Sequence, residues 1–391
     1  MTTPTIADIL RNGFNAYTEA YSPVPLLHRK VVGALTACRT PLLGGERQRC
    51  DHCSHEKNLY HSCRNRHCPL CQTAQRLAWV NQRLGELLPV GYFHVVFTIP
   101  HHLNPFALRN KKAFYNIMFR AVKETLSELA ADPKRLGADI GFISVLHTWG
   151  QTLTDHPHIH CIVPGGGYDT KQNRWKPCTN GFLFPVPVMR TLYRGKCMAL
   201  LRKALETGSI KLHGSLQSYE KPAAMKELID TLYRTDWIVY VKRPFVSAAK
   251  LVDYLGRYTH RVAITNSRII AADGNTVTFT YRDYADNDRL KHMSLSTTEF
   301  IRRFLLHVLP RGFRKIRYYG FLGLRARKKR LAQCRAFFRI NKPQPEKGKR
   351  TCVQIVKELT GRDPLRCPLC KLGRLITVAL VPKLPTPAAA M

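Results

Sequence analysis

Two Cys-x-x-Cys pairs, Cys50/Cys53 and Cys68/Cys71, stand only 14 residues apart in this chain. Each pair sets two thiolates on one tight turn, and two such turns can close a tetrahedron around zinc. A segment built that way is stabilised by metal rather than by a large apolar core, so the pairs constrain the fold more than any periodic stretch does. Cys63, between them, is the best candidate for an extra ligand. Cys38, His52, His55, His61 and His67 sit around the pairs, either as a second, less regular site or as basic and polar surface for DNA, with surface favoured. Near the C-terminus Cys367-Pro-Leu-Cys370 forms a third knuckle, a candidate second site that Cys352 or Cys334 could complete. No set of three ligands with an open fourth position is evident here, so the zinc reads as structural.

The 13 cysteines are odd in number and gather towards the two ends. The N-terminus has no basic start followed by an apolar run, so it does not read as a secretory signal. Metal binding is therefore favoured over disulfides, and an intracellular protein is expected. No stretch approaches the roughly 20 apolar residues of a membrane helix. Charge narrows the partner further: 62 Lys+Arg against 26 Asp+Glu leaves 62 − 26 = +36. Such an excess repels itself in a compact protein unless a polyanion neutralises it, which points to nucleic acid.

Three regions are expected: N-terminal helices with a zinc-binding module over 1–90, an α+β domain on an antiparallel sheet over 91–310, and a basic C-terminal region over 311–391. The periodicity predicts helices within 1–35 and over 73–88, 111–131, 187–206, 222–234, 247–258 and 297–309. It predicts strands over 92–99, 140–153, 156–163 and 237–241, and a hairpin within 268–295. Residues 311–350 carry 15 Lys/Arg and one acidic residue, Glu346. Within them Arg325, Arg327, Lys328, Lys329 and Arg330 are candidate DNA contacts, and 341–350 reads as a Pro/Lys-rich linker.

His156-Pro-His158-Ile-His160 carries the chemistry. Alternate residues of a strand face one side, so His158 and His160 project together while Ile159 turns away. Paired imidazoles are natural ligands for a divalent metal. A two-residue turn at 154–155 would set Gln151 across from His158, which makes its amide oxygen the expected third ligand. His156 has the same parity but lies at the turn, a weaker candidate. Downstream, Tyr254 and Tyr258 stand four apart on one helix face. Arg257 and Arg261 are plausible phosphate contacts beside them. A phenol becomes an effective nucleophile when a cation polarises the scissile phosphate. Tyr318, Tyr319 and Phe321, among basic residues, are candidate stacking groups for single-stranded bases, with core packing favoured for Phe321.

The His158-x-His160 strand, Tyr254-x-x-x-Tyr258 and the Cys-rich module together resemble the two-tyrosine HUH transposases of the IS91 group. SCRNRHCPLCQ (62–72), HPHIHCIVPGGG (156–167), YLGRYTHRVAI (254–264) and IRYYGFLGLR (316–325) are similar to that group in the same order. The resemblance spans roughly residues 20–325. It implies an HUH endonuclease domain and a bacterial, cytoplasmic and nucleoid-associated enzyme. Such an enzyme transposes an insertion sequence by a rolling-circle-like route, with 5′-phosphotyrosine intermediates. It implies Mg²⁺ or Mn²⁺ at the histidines, zinc in the N-terminal module, and DNA as partner: element ends, single-stranded or hairpin-containing, and target DNA. One departure is Gly44-Gly45-Glu46, where the group usually reads Gly-Gly-His. If that histidine binds metal, a second zinc is not expected. The rival readings are a rolling-circle replication initiator or relaxase, which shares the chemistry, and a non-catalytic zinc-module DNA-binding protein. The second would not explain His158, His160, Tyr254 and Tyr258 together.

Overall fold

The computed structural model describes residues 3–178, 181, 183–245, 256, 263–325, 327–340, 351, 353–354, 356–357 and 361–385. Its centre is a five-stranded antiparallel sheet in the order β12-β4-β5-β3-β8. The strands are β3 (Tyr92–Thr98), β4 (Phe142–Trp149), β5 (Asp155–Pro164), β8 (Val239–Phe245) and β12 (Ile316–Tyr319). β3 shows why these runs are not cleanly alternating: both faces are covered, and all but one of its residues are buried.

One face packs on two 21-residue helices, α5 (Lys111–Ala131) and α6 (Val186–Glu206). α5 presents Phe114, Met118, Ala121, Val122, Leu126 and Leu129 at helical spacing to Phe97, Leu146 and Ile159 of the sheet. The short α4 (Asn104–Arg109) and α7 (Pro222–Arg234) flank this layer. The other face carries Ile143, Val145 and Ile162, covered by Trp79 and Val80 of α3 (Pro69–Leu84).

Around the sheet lie three smaller units. β6 (Gly166–Asp169) and β7 (Arg174–Pro177) form a hairpin. β9 (Ile269–Ala272), β10 (Thr276–Asp283) and β11 (Arg289–Ser296) form a three-stranded sheet, one strand more than the hairpin expected there. The third sheet, β13-β1-β2, joins β1 (Gly45–Cys50) and β2 (Glu56–Tyr60) to β13 (Leu375–Val381). The basic α9 (Arg327–Phe337) sets Leu331 and Cys334 against the cluster beneath α3.

Packing crosses both boundaries expected at 90 and 310. The N-terminal helices are α1 (Ile6–Ala20) and α2 (Leu26–Thr36). α1 begins with a reciprocal cap: Thr5 Oγ1 accepts from Asp8 N–H, and the Asp8 carboxylate accepts from Thr5 N–H. Its apolar stripe, Ile6, Ile9, Leu10 and Tyr17, shares a core with Phe300, Ile301, Phe304 and Leu305 of α8 (Thr297–Leu306). Arg66 ties the Cys-rich module to the same region, donating to the carbonyls of Phe313 (2.6 Å) and Pro310 (2.7 Å). β12 lies beyond 310 yet forms the edge of the central sheet. Among the described residues, no helix is long and apolar enough to cross a membrane.

Candidate functional site

Three histidines converge from adjacent strands of the main sheet. β5 supplies His158 and His160, and β4 supplies His147, which pairs directly with His158 across the ladder. The metal-ligating atoms of these three imidazoles lie within 4.8 Å of one another. Their rings are 4.4 to 5.4 Å apart and steeply inclined to one another, which lets the nitrogens converge instead of stacking. Hydrogen bonds orient two of them. His158 Nδ1 is 2.6 Å from the carbonyl of His156, so this nitrogen donates and Nε2 keeps its lone pair. His160 Nδ1 is 2.8 Å from Nε2 of His94 on β3. With the His94 tautomer that accepts at Nε2, His160 donates from Nδ1 and its own Nε2 is the unprotonated nitrogen. Such outer partners fix the tautomer of metal-binding histidines. Burial pulls His158 down to about 4, so it is neutral at pH 7, as a ligand must be.

Gln151 is not in this group, contrary to the two-residue turn expected at 154–155. The turn is longer. Trp149 pairs with Asp155, so residues 150–154 form the loop and the ladder sets His147 opposite His158. Leu153 causes the difference: it takes a left-handed backbone (φ 62°) and is fully buried in the α1/α8 core. Anchoring that side chain costs the loop its tight turn. Gln151 Nε2 instead donates to the Tyr284 hydroxyl at 2.7 Å. His156 is exposed at the start of β5, outside the convergent set. Sequence reasoning missed His147 and His94, each a lone histidine in a largely buried strand.

Tyr254, Tyr258, Arg257 and Arg261 lie outside the described residues. Gly256, between the tyrosines, is described and buried. A Cβ there would come within 2.3 Å of Val80 Cγ2, so position 256 lies against α3, the helix covering the histidine-bearing face of the sheet.

The cysteines regroup. Cys50, Cys53, Cys68 and Cys71 do not form one tetrahedron; two separate four-thiol clusters exist, Cys38/Cys63/Cys68/Cys71 and Cys50/Cys53/Cys367/Cys370. The cause is the β1–β2 hairpin. Gly45 pairs with Tyr60 at one end and Arg49 with Glu56 at the other. Six residues of β1 at about 3.3 Å each separate the ends by roughly 20 Å. Cys38 and Cys63 flank the open end, while Cys50 and Cys53 sit at the turn. Cys63, expected as an extra ligand of a Cys50/Cys53/Cys68/Cys71 site, joins Cys68 and Cys71 in the first cluster, and Cys38 belongs with it rather than to the surface. Cys334 does not complete the C-terminal knuckle, because α9 carries it into the cluster beneath α3; Cys352 lies outside the described residues. Glu46 is in neither cluster and accepts a hydrogen bond from Thr377 on β13, so both four-thiol sets are complete without a ligand at position 46.

Among the basic candidates, Arg325, Lys328 and Lys329 are exposed and Arg330 is half-buried. Arg327 is engaged within the protein, 3.5 Å from the Glu86 carboxylate and over the Tyr318 ring. Tyr318 itself accepts a hydrogen bond from Trp79. Tyr319 packs on Phe142 and Phe321 is buried, so these two rings are core.

Fold and sites define a class: an α+β protein with two four-thiol clusters beside a histidine-lined antiparallel sheet, an arrangement consistent with the HUH fold. Residues 141–330 match a family model described as "Putative transposase", and residues 9–99 match one described as "Transposase zinc-binding domain". The chain is 44% identical over 379 residues to "Putative transposase y4qJ" of Sinorhizobium fredii, covering 96% of this chain and 95% of that protein. It is 29% identical over 362 residues to the transposase for insertion sequence element IS801 of Pseudomonas savastanoi pv. phaseolicola, covering 90% and 83% respectively. No solved structure matches. The chain belongs to the IS91 group of insertion-sequence transposases. Its N-terminal module is a zinc-binding domain of that group.

Proposed function

We propose that this transposase cuts and rejoins single DNA strands through 5′-phosphotyrosine intermediates, in rolling-circle-like transposition, at a divalent metal held by His147, His158 and His160. The observation that carries the reading is the convergence of three imidazoles on two paired strands, with His158 held neutral and its Nδ1 bound to a backbone carbonyl. An all-imidazole set suits Mn²⁺ better than Mg²⁺, which prefers oxygen ligands. A cation bound there supplies charge neutralisation at the scissile phosphate.

The chain's own residues do the rest. The Tyr254 or Tyr258 oxygen attacks phosphorus and its proton passes to solvent or a nearby base. The 3′ oxygen leaves with a proton, and the 5′ phosphate stays on the tyrosine. A second tyrosine can then repeat the step on the other strand, conserving the phosphodiester energy. Supporting this is the place of Gly256, between the two tyrosines, against the helix that covers the histidine face. Arg257, Arg261 and the exposed Arg325, Lys328 and Lys329 would hold phosphates of the element end and target DNA.

The test is a labelled single-stranded oligonucleotide carrying the element end, incubated with Mn²⁺ or Mg²⁺. Wild type should give a covalent protein–DNA band that requires metal and is lost in His158→Ala/His160→Ala. Tyr254→Phe and Tyr258→Phe should name the first nucleophile. Cognate binding without any adduct under any metal would end the nuclease reading.

A further inference from the structure

We propose that Cys50, Cys53, Cys367 and Cys370 form a second structural zinc site, in which the C-terminal knuckle closes the N-terminal module. The four thiols come from residues more than 300 positions apart, with Cys50 Sγ 3.7 Å from Cys370 Sγ and Cys53 Sγ 3.7 Å from Cys367 Sγ. A tetrahedron with Zn–S bonds of about 2.3 Å has S···S edges of about 3.8 Å. The first cluster has the same spacing, with edges of 3.6 to 3.7 Å among Cys38, Cys63, Cys68 and Cys71. Both sets therefore have zinc dimensions. All four sulfurs converge on one point, which two independent disulfides would not require.

The two halves of the proposed site are built alike. In each, the residue after the second cysteine is left-handed, Ser54 (φ 59°) and Lys371 (φ 57°). In each, that residue's N–H bonds back to the carbonyl of the first cysteine, at 3.2 Å to Cys50 and 3.1 Å to Cys367. Backbone N–H groups also reach the sulfurs: His52 to Cys50 at 3.4 Å, and Gly373 to Cys370 at 3.5 Å. Such donors stabilise thiolates over thiols. Gly373 is required by the closeness of the halves, since a Cβ there would lie 2.6 Å from Cys50 Sγ. Around this point the chain ends are laced together. Asp51 Oδ1 accepts from Arg374 N–H at 2.7 Å, and β13 runs antiparallel to β1 from Cys50/Leu375 to Gly45/Val381. Four thiolates and Zn²⁺ carry −2, set beside Lys371 and Arg374.

Two zinc ions per chain follow, one inside the N-terminal module and one linking it to the segment 361–385. The linkage fixes β13 as the third strand of a sheet that β1 and β2 cannot complete alone. The experiment counts zinc in the purified full chain by mass spectrometry of the elements, alongside Cys367→Ser/Cys370→Ser. Wild type should hold about two zinc ions and the double variant about one. The cobalt-substituted protein should lose about half of its thiolate charge-transfer intensity in the same variant. Equal zinc content in wild type and the double variant overturns the site, as does a single zinc in wild type. Should the variant fail to fold, a site-specific protease sequence inserted within 341–350 of the wild type replaces it. After cleavage the C-terminal piece should stay with the remainder and leave when a chelator removes zinc; departure with both zinc ions still on the N-terminal piece overturns the proposal. Neither readout depends on DNA cleavage.

Discussion

His94 stands one strand away from the histidine trio, and its side chain meets His160 rather than solvent. If the trio binds metal as proposed, His94 can act on it only through His160, whose Nδ1 its own Nε2 meets at 2.8 Å. His94→Ala should therefore weaken Mn²⁺ binding by about 10–100-fold, measured by calorimetric titration, with the fold retained. Unchanged affinity would remove His94 from the site. His307 is a different case. Fully enclosed, it donates from Nε2 to the Leu153 carbonyl (3.1 Å) and accepts at Nδ1 from Thr148 (3.2 Å), so the neutral ring is satisfied at both ends. Burial pulls it down to about 3. The unfolded chain takes up this proton near pH 6.5, whereas the native state does not until about pH 3. Stability is therefore intact above 6.5 and falls as pH drops through that window. His307→Leu should flatten the slope of unfolding free energy against pH between 6 and 4 by about 1.4 kcal/mol per unit, read by denaturant titration. At this scale the sequence was informative where residues repeat along one strand, as His158 and His160 do. It was silent on His147 and His94, whose relevance depends on which strands pair.

Elements explain where that silence begins. A strand within 140–153 was visible in the sequence, but its end was not: β4 stops at Trp149 and the last four residues of the expected run belong to the turn, because a buried left-handed Leu153 has no compositional signature. A shift in that turn exchanged Gln151 for His147 opposite His158. The knuckles fail in the same way: their spacing is legible, yet a hairpin of only 6 and 5 residue strands between them sends each pair to a different end. Charged residues such as Glu46, Arg47, Arg49 and Glu56 hide that hairpin, since most of β2 is exposed and no apolar alternation marks it. Helices fared better, because α1 and α5 each bury an apolar stripe with the 3.6-residue period. Their contacts are also sharply specified. Gly13 on α1 leaves no room for a side chain, as a Cβ would lie 2.3 Å from Thr297 Cγ2 on α8. Gly13→Val should push the two helices apart and cost about 1–3 kcal/mol by denaturant unfolding, outweighing any gain in helix propensity. A stabilised variant would mean that the α1/α8 contact is looser than this geometry.

Across the whole molecule, opposite ends of the chain are repeatedly brought together. α1 packs on α8, Arg66 holds the 310–313 loop, β12 edges the central sheet, and β13 completes the sheet of the zinc-binding module. Such an assembly gathers onto these packed elements most of the Lys and Arg that give the chain its net charge of +36. Internal pairing relieves part of it, as with Arg327 and Glu86. Arg325, Lys328 and Lys329 remain exposed at the start of α9. If these residues contact phosphates, each releases condensed counterions on binding. The logarithm of affinity then falls linearly with the logarithm of salt, by about 0.7 per contact for single strands and about 0.9 for duplex. Changing Arg325, Lys328 and Lys329 together to Ala should reduce the slope for a single-stranded element end by about 2, measured by fluorescence anisotropy across a salt series. The loss should be similar for unrelated sequences, because phosphate contacts position the strand without reading it. An unchanged slope would move the DNA path off α9. A loss confined to the cognate sequence would instead make these side chains base readers.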